Sequence, residues 1–415
     1  MIRRSWIPVA LLALGGCAGQ PPPAPPAPVP ADTVPPAPRE IPAPQPPPPS
    51  PPKLRLFAPV RLAFTGDINL GTLTVPDGVP PDSGRGLFDQ ALPALTGDLV
   101  VGNFEGVLGD SGTTYKCGSQ GVHVSGAAGP GGSGAVDAPR ASSVPLPPRP
   151  AAPRKTCYAF LTPTSLAPRL RDAGFTHLNL ANNHANDFGP DARLRTEAIF
   201  DTLGIRHYGP LGSIAIDSVR RGDSVTAVGL VGFTTYPYAY DLLDVARSAA
   251  VVDSIRPLTD LLIVTFHGGA EGAKALHVSE TAESLGREPR GDLRRWARAV
   301  IDAGADAVVG HGPHVLRGVE FYRGRPIVYS LGNFLTYRGF NLSGPLGVTG
   351  VLQLDFGADR RLAGARLVPM VQPPREGPVP DPEAAALDLI RRLSAEDFGE
   401  TAARIDERGA ILAPP

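Results

Sequence analysis

Charge, lysine and cysteine are scarce in this chain. Only 19% of its 415 residues are charged, and the formal net charge is −1. The 39 basic residues comprise 4 Lys, which leaves 35 Arg, a skew that fits a GC-rich coding bias. With no basic block and a charge near zero, the sequence is not that of a dedicated nucleic-acid binder. Three Cys are too few for a fold built on disulfides. No uninterrupted apolar run reaches the roughly 18 residues of a membrane-spanning helix. What the chain has in excess is Pro (49) and Gly (48), beside 42% apolar residues. That length and composition allow one large or two small domains.

The first 17 residues read as an export signal. Arg3 and Arg4 open it, Trp6 to Leu14 form a short apolar stretch, and Leu14-Gly15-Gly16-Cys17 follows. The arrangement resembles the lipobox of bacterial lipoproteins, in which the Cys is acylated, so Cys17 is the expected lipidation site. A plain secretory peptide with an incidental Cys is the alternative. The Arg pair alone does not complete a twin-arginine signal. Acyl chains anchor through ~0.8 kcal/mol per buried CH₂. Ala18 after the Cys, by analogy with Gram-negative lipoproteins, favours the outer membrane. Residues 21–52 hold 18 Pro in 32 positions, a composition that forms extended polyproline II and no packed core. At ~3.1 Å per residue such a spacer reaches about 100 Å.

From Leu54 onward, apolar strand-like runs alternate with helical patterns, which predicts an α/β domain. Helices are expected over 191–203, closed by Gly204, over 290–303, closed by Gly304, and over 382–396. The strands run into polar residues. Leu62 to Thr65 leads to Gly66-Asp67-Ile68-Asn69, and Leu99 to Val101 leads to Gly102-Asn103-Phe104-Glu105-Gly106. Leu178 to Ala181 leads to Asn182-Asn183-His184, Leu261 to Phe266 to His267, and Ala307 to Val309 to Gly310-His311-Gly312-Pro313-His314. Functional groups in α/β sheets gather at the carboxyl ends of strands. Carboxylate, amide and imidazole donors together suit Zn, Mn or Fe. Two such ions about 3.5–4 Å apart clamp a phosphate-like group and activate a water. Singly, Asp67 reads equally as a turn residue and His267 as a structural one; the recurrence at five strand ends argues for a site.

The blocks Gly66-Asp67, Asn103 to Gly106, Ala181 to Gly189, His267 to Glu271, Gly310 to Val315 and Tyr329 to Phe334 resemble the CapA family, the poly-gamma-glutamate capsule synthesis domain. That family is similar to the calcineurin-like metallophosphoesterases. The resemblance covers roughly residues 58–372. It implies an α/β/β/α sandwich, two sheets flanked by helices, and a role in making, exporting or anchoring an extracellular polyanion. The implied organisation is a signal peptide (1–17), a Pro-rich linker (18–53), the CapA-like domain (54–375, with an insertion at 109–156) and a C-terminal helical extension (376–415).

Carried over residue by residue, the resemblance implies metal ligands at Asp67, Asn103, Glu105, Asn183, His267, His311 and His314, holding one or two divalent ions of Mn, Zn or Fe. His184 would contact the leaving group as general acid. Asn69 stands where the phosphoesterase pattern has His, so one nitrogen ligand is missing. The closing His pair is spaced by two residues instead of one. Asp187 either orients His184 or caps the helix that begins near Pro190. Glu271 and Asn333, with Asn69, are candidates for substrate contact; a solvated loop residue and a turn residue are the alternatives for Glu271 and Asn333.

Three functions follow as expectations: a metal-dependent hydrolase of an envelope polymer or phosphoester, a non-catalytic component that binds an anionic polymer or a capsule synthase, and a surface 5'-nucleotidase. The expected partners are a membrane, through the lipid anchor, and envelope polymer, with no nucleic acid. The segment from Gly118 to Thr156 lacks periodicity and reads as a surface insertion. In an oxidising compartment its flanking Cys117 and Cys157 are expected to pair. Closing about 40 residues stabilises by ~4 kcal/mol in the loop-entropy account.

Overall fold

Apolar runs such as Leu261 to Phe266 and Ala307 to Val309 suit strands buried on both faces, and the computed structural model of the chain is built from them. It describes residues 56–116, 121–126 and 158–415. Cys17, the Pro-rich stretch, Cys117 and Cys157 lie outside the described residues. Among the described residues no helix is long and apolar enough to cross a membrane.

The chain lays down a first set of parallel strands, β1 (Val60–Asn69), β2 (Leu99–Phe104), β3 (His177–Asn179) and β4 (Arg206–Tyr208). It then crosses to a second sheet with β5 (Ala215–Arg221), β6 (Ser224–Thr234), β7 (Leu261–His267), β8 (Ala307–His311), β9 (Val319–Tyr322) and β10 (Arg325–Val328). It returns to the first sheet with β11 (Asn333–Thr336), β12 (Val348–Phe356) and β13 (Leu362–Val371). The eight-stranded sheet is ordered β13-β12-β1-β2-β3-β4, with β11 also pairing β1 and the short strand Val379–Pro380 at its edge. The seven-stranded sheet is ordered β6-β7-β8-β10-β9, with β5 and the short strand Tyr240–Asp241 pairing β6.

The alternation along each strand assigns its two faces. Leu62 and Phe64 of β1, Leu261 and Ile263 of β7 and Ala307 and Val309 of β8 meet in one core between the sheets. Ala63 and Val100 face outward on the first sheet, toward Phe200 of helix α1 (Pro190–Leu203) and the one-turn helix Pro168–Asp172. Val264, Phe266 and Val308 face outward on the second, toward α2 (Val245–Ile255) and α3 (Leu293–Asp302), whose Trp296 is fully buried. Helix α4 (Ala385–Phe398) adds Leu387 and Ile390 to the inter-sheet core, and its Ser394 Oγ accepts from Val319 N at 2.8 Å. The architecture is the expected sandwich of two sheets flanked by helices.

Gly204, at φ +71°, ends α1 in the left-handed region, as the sequence implies. Helix α3 starts three residues later than its apolar pattern suggests. Arg290 and Gly291 belong to an extended hairpin with Glu283–Leu285, and Asp292 caps the helix by accepting from Arg295 N at 3.2 Å. Two irregularities shape the ends of β1 and β8. Register shifts between Phe64 and Asp67, where Asp67 N donates to Gly332 O at 2.9 Å. A Cβ at Gly66 would lie 2.0 Å from that same carbonyl oxygen, so only glycine permits the approach. Beyond β8, His314 holds φ +60°, an uncommon conformation for a side-chain-bearing residue.

Candidate metal and proton-transfer site

Parallel strands present their last side chains at one end of a sheet, and here both sheets do so on the same side. Asp67 lies two residues before the end of β1, Glu105 follows β2 and His267 ends β7. Their ligating atoms all lie within 4.8 Å of one another, and all three residues are fully buried. His311 sits opposite His267 in the β7–β8 register. Its Nε2 faces the Thr65 carbonyl oxygen at 3.0 Å, which fixes the proton on Nε2 and leaves Nδ1 bare. Among the described residues, Glu105 Oε2, His267 Nε2 and His311 Nδ1 are buried here without a hydrogen-bond partner, Asp67 Oδ2 has only its ion pair with His314, and Asn183 Oδ1 is unpaired on the neighbouring cleft. Buried polar atoms are ordinarily paired. Unpaired carboxylate and imidazole atoms gathered in this way suit a transition-metal ion.

The charges agree with that fit. Burial, and then the Asp67 carboxylate, push the Glu105 carboxyl well above its ordinary range. Burial and Arg290 push His267 well below its own, so the ring is neutral, as a ligand must be. Burial alone would raise Asp67, but the His314 imidazole, whose Nδ1 lies 2.9 Å from Asp67 Oδ2, holds it down. Burial opposes charge on His314 as well, yet Glu105 and Asp67 outweigh it and push its pKa up to about 10. Without an ion, His314 is therefore the cation of the cluster.

Asn103 is central but turned. Its amide NH₂ donates to Asp67 Oδ1 at 2.9 Å and Glu105 Oε1 at 3.2 Å, while its carbonyl oxygen accepts from Asn179 at 3.0 Å and Asn182 at 3.2 Å. The oxygen a metal would use is thus occupied, and Asn103 here holds the carboxylates together. Asn69 is committed to backbone: it donates to Glu105 O at 2.7 Å and accepts from Gly71 N at 3.1 Å. Asn333 clamps His314, with its Oδ1 3.1 Å from the ring Nδ1 and its NH₂ donating to His314 O and Leu346 O.

A second group lies on a cleft of about 650 Å³ lined by Asn183, His184, Glu271, His314 and Asn333 among others, and His314, 2.9 Å from Asp67, joins that cleft to the buried cluster. His184 Nδ1 lies 2.7 Å from Asp187 Oδ2, and the carboxylate accepts, so the proton resides on Nδ1 and Nε2 is left for the cleft. Asp187 does not cap α1; Gly189 occupies that position without a side-chain bond. Burial pushes His184 below its ordinary pKa and Lys116 adds to it, against the pull of Asp187. Phe160 packs on the His184 ring at 4.4 Å, and Phe340 stands between His184 and His314, 6.5 Å and 5.2 Å from them. Glu271 is held 2.8 Å from the fully buried Arg290, which also pairs with Glu288 at 3.1 Å.

Lys116, Arg290 and Phe340 escape the motif reading. Arg290 falls inside the expected helix, and Phe340 has no local signal. Lys116 alone carries a hint, as a lysine in a chain that otherwise uses arginine.

The fold and site define an α/β sandwich with buried carboxylate and imidazole donors at its strand ends. Residues 147–338 match the family model described as bacterial capsule synthesis protein PGA_cap. The chain is similar to the PGA biosynthesis protein CapA of Bacillus subtilis, at 31% identity over 185 residues, covering 41% of this chain and 45% of that protein. It is likewise similar to the capsule biosynthesis protein CapA of Bacillus anthracis, at 29% identity, covering 41% and 42%. The chain therefore spans less than half the length of these curated relatives. Among solved structures, a 5'-nucleotidase precursor from Thermus thermophilus aligns over 81% of this chain and 59% of its own, at 14% identity and a TM-score of 0.38. The likeness to the CapA family read from the motifs holds through the middle of the chain.

Proposed function

We propose that this is an envelope-anchored, CapA-like protein that handles poly-gamma-glutamate or a related capsule polymer through a metal-dependent hydrolytic site. The observation that carries the reading is the set of unpaired buried acceptors on Glu105, His267 and His311 beside Asp67, a cluster that His314 joins to the cleft lined by His184. Asp67, Glu105, His267, His311 and Asn183 would hold one or two ions of Mn, Zn or Fe. Bound there, a divalent ion polarises a phosphoryl or carbonyl oxygen and lowers the pKa of a water. His184 moves a proton at Nε2, with Asp187 fixing its tautomer. Phe160 and Phe340 exclude water from that wall. A lipid anchor at Cys17 would hold the chain in the cell envelope, at the periplasmic face or the outer membrane.

A non-catalytic component that binds polymer with the same cleft is the second reading. It is favoured by Asn103, whose NH₂ and not its oxygen faces the carboxylates, and by Asn69 at a position where phosphoesterases carry His. Metal analysis of the full chain and of Asp67→Ala, with hydrolysis assays on phosphoesters, peptides and polyglutamate, separates the two. At least one transition-metal ion per chain is expected, lost in the variant. Folded protein that takes up no metal would falsify the site. Metal without turnover on any of these substrates selects the second reading.

A further inference from the structure

Lys116 belongs to none of the strand-end blocks, yet it reaches into the His184 pair. It stands two residues after Ser111–Thr114, the first strand of a hairpin whose second strand is Val122–Ser125. Thr114 Oγ1 docks this arm by donating to Asp187 O at 2.6 Å. The Lys116 ammonium lies 2.6 Å from Asp187 Oδ1, donates to Asn183 O at 2.9 Å and stands 3.2 Å from His184 Nδ1. The other oxygen of Asp187 accepts from Phe160 N at 2.7 Å and from His184 Nδ1. Since Nδ1 carries the proton shared with Asp187, it cannot accept from Lys116. The ammonium acts on the ring through the carboxylate. We propose that Lys116 is a positioning residue that holds Asp187 so that His184 keeps Nε2 on the cleft.

Two features single out this residue. The Asp187 side chain is 1% exposed, and a buried carboxylate needs a fixed counter-charge to keep one geometry. Lysine is also used here against the composition of a chain with 4 Lys among 39 basic residues. A compact ammonium can meet acceptors converging from the side, as Asp187 and Asn183 do; a planar guanidinium fork cannot take the same place.

The proposal rests on the hydrolytic reading, and its test keeps the two apart. The full chain and its Lys116→Met, Lys116→Arg and Lys274→Met variants are assayed with Mn²⁺ on bis(p-nitrophenyl) phosphate. Their histidine rings are followed by ¹⁵N NMR, with the His184 signals identified by their loss in His184→Asn. For Lys116→Met, kcat is expected to fall roughly 10- to 100-fold, the scale of a small misplacement of a reacting group, with KM and metal content unchanged. The His184 ring signals should shift from one fixed tautomer toward the average of two. Lys116→Arg should rescue incompletely, and Lys274→Met should match the wild type. A raised KM at constant kcat would make Lys116 a substrate contact and overturn the proposal, as would an unaltered His184 spectrum. If the wild type does not turn over the probe, the hydrolytic reading loses support, while the His184 spectrum of Lys116→Met still decides the positioning role.

Discussion

Single residues in this site differ in what the sequence reveals of them. Asp67, Glu105 and His267 are legible because each lies at or near the end of a recognisable strand, and strand ends converge. Asp187 is legible only as an alternative, since three residues after a histidine and three before a helical proline suit two roles equally. The 2.7 Å contact to His184 chooses between them. Asn103 and Asn333 illustrate the opposite case. An amide has both a donor and an acceptor end, and which end faces the carboxylates at Asn103, or the His314 ring at Asn333, depends on Asn179, Asn182 and the Leu346 carbonyl, which come from distant segments. A residue-scale consequence concerns His184. If its Nε2 moves the proton, His184→Asn should lower turnover by roughly 10²–10⁴-fold and leave metal content intact. Metal lost in parallel would make His184 a ligand instead, and unchanged turnover would return it to a packing role.

At the scale of elements, the apolar runs identify the central strands because parallel strands covered on both sides contain few polar residues. The start of α3 is misplaced for a related reason. Trp296 and Val300 set a clear helical stripe, but Arg290 is drawn away from it by Glu271, Glu288 and the Gly269 carbonyl, all outside the helix. Long-range ion pairs leave no periodic trace. The contact between β1 and the 331–332 backbone is likewise invisible in sequence, although Gly66 is its necessary condition. Gly66→Ala places a methyl carbon 2.0 Å from the Gly332 oxygen and 2.8 Å from that of Leu331. Neither backbone can yield without moving Asp67, the next residue, or Asn333, which pairs with it in the β1–β11 ladder. The variant is expected to lose about 1–3 kcal/mol, as overpacked interiors do, and to bind metal more weakly than an alanine at an uncrowded glycine such as Gly364, where the nearest atom would lie 3.8 Å away. Denaturant titration and metal titration of the two variants measure both effects; equal metal affinity would separate Gly66 from the site.

Across the whole molecule, the proposed site would couple folding, protons and metal. In metal-free protein the His314 pKa is pushed up to about 10, above its ordinary value near 6.5. Between those limits the folded chain binds a proton that the unfolded chain has released, so stability is fully present below the lower limit and declines as pH rises toward the upper one. Glu105, pushed well above its ordinary carboxyl range, acts in the same direction once pH passes that range. Asp67, held low, works the other way but only in acid, where its contribution is lost as pH falls through its folded pKa. An ion at the proposed site would replace the charge that His314 supplies and would require Glu105 to be ionised, so its binding would release protons and strengthen with pH. Ligand-linked stabilisation grows with the ratio of free metal to Kd. The increase in Tm on adding Mn²⁺ to chelator-treated protein should therefore be larger at pH 8 than at pH 6. His314→Gln should flatten the decline of the metal-free Tm between those values. Scanning calorimetry at both pH values measures the two quantities. An equal metal-induced increase at pH 6 and pH 8 would show that the ion binds away from Glu105 and His314.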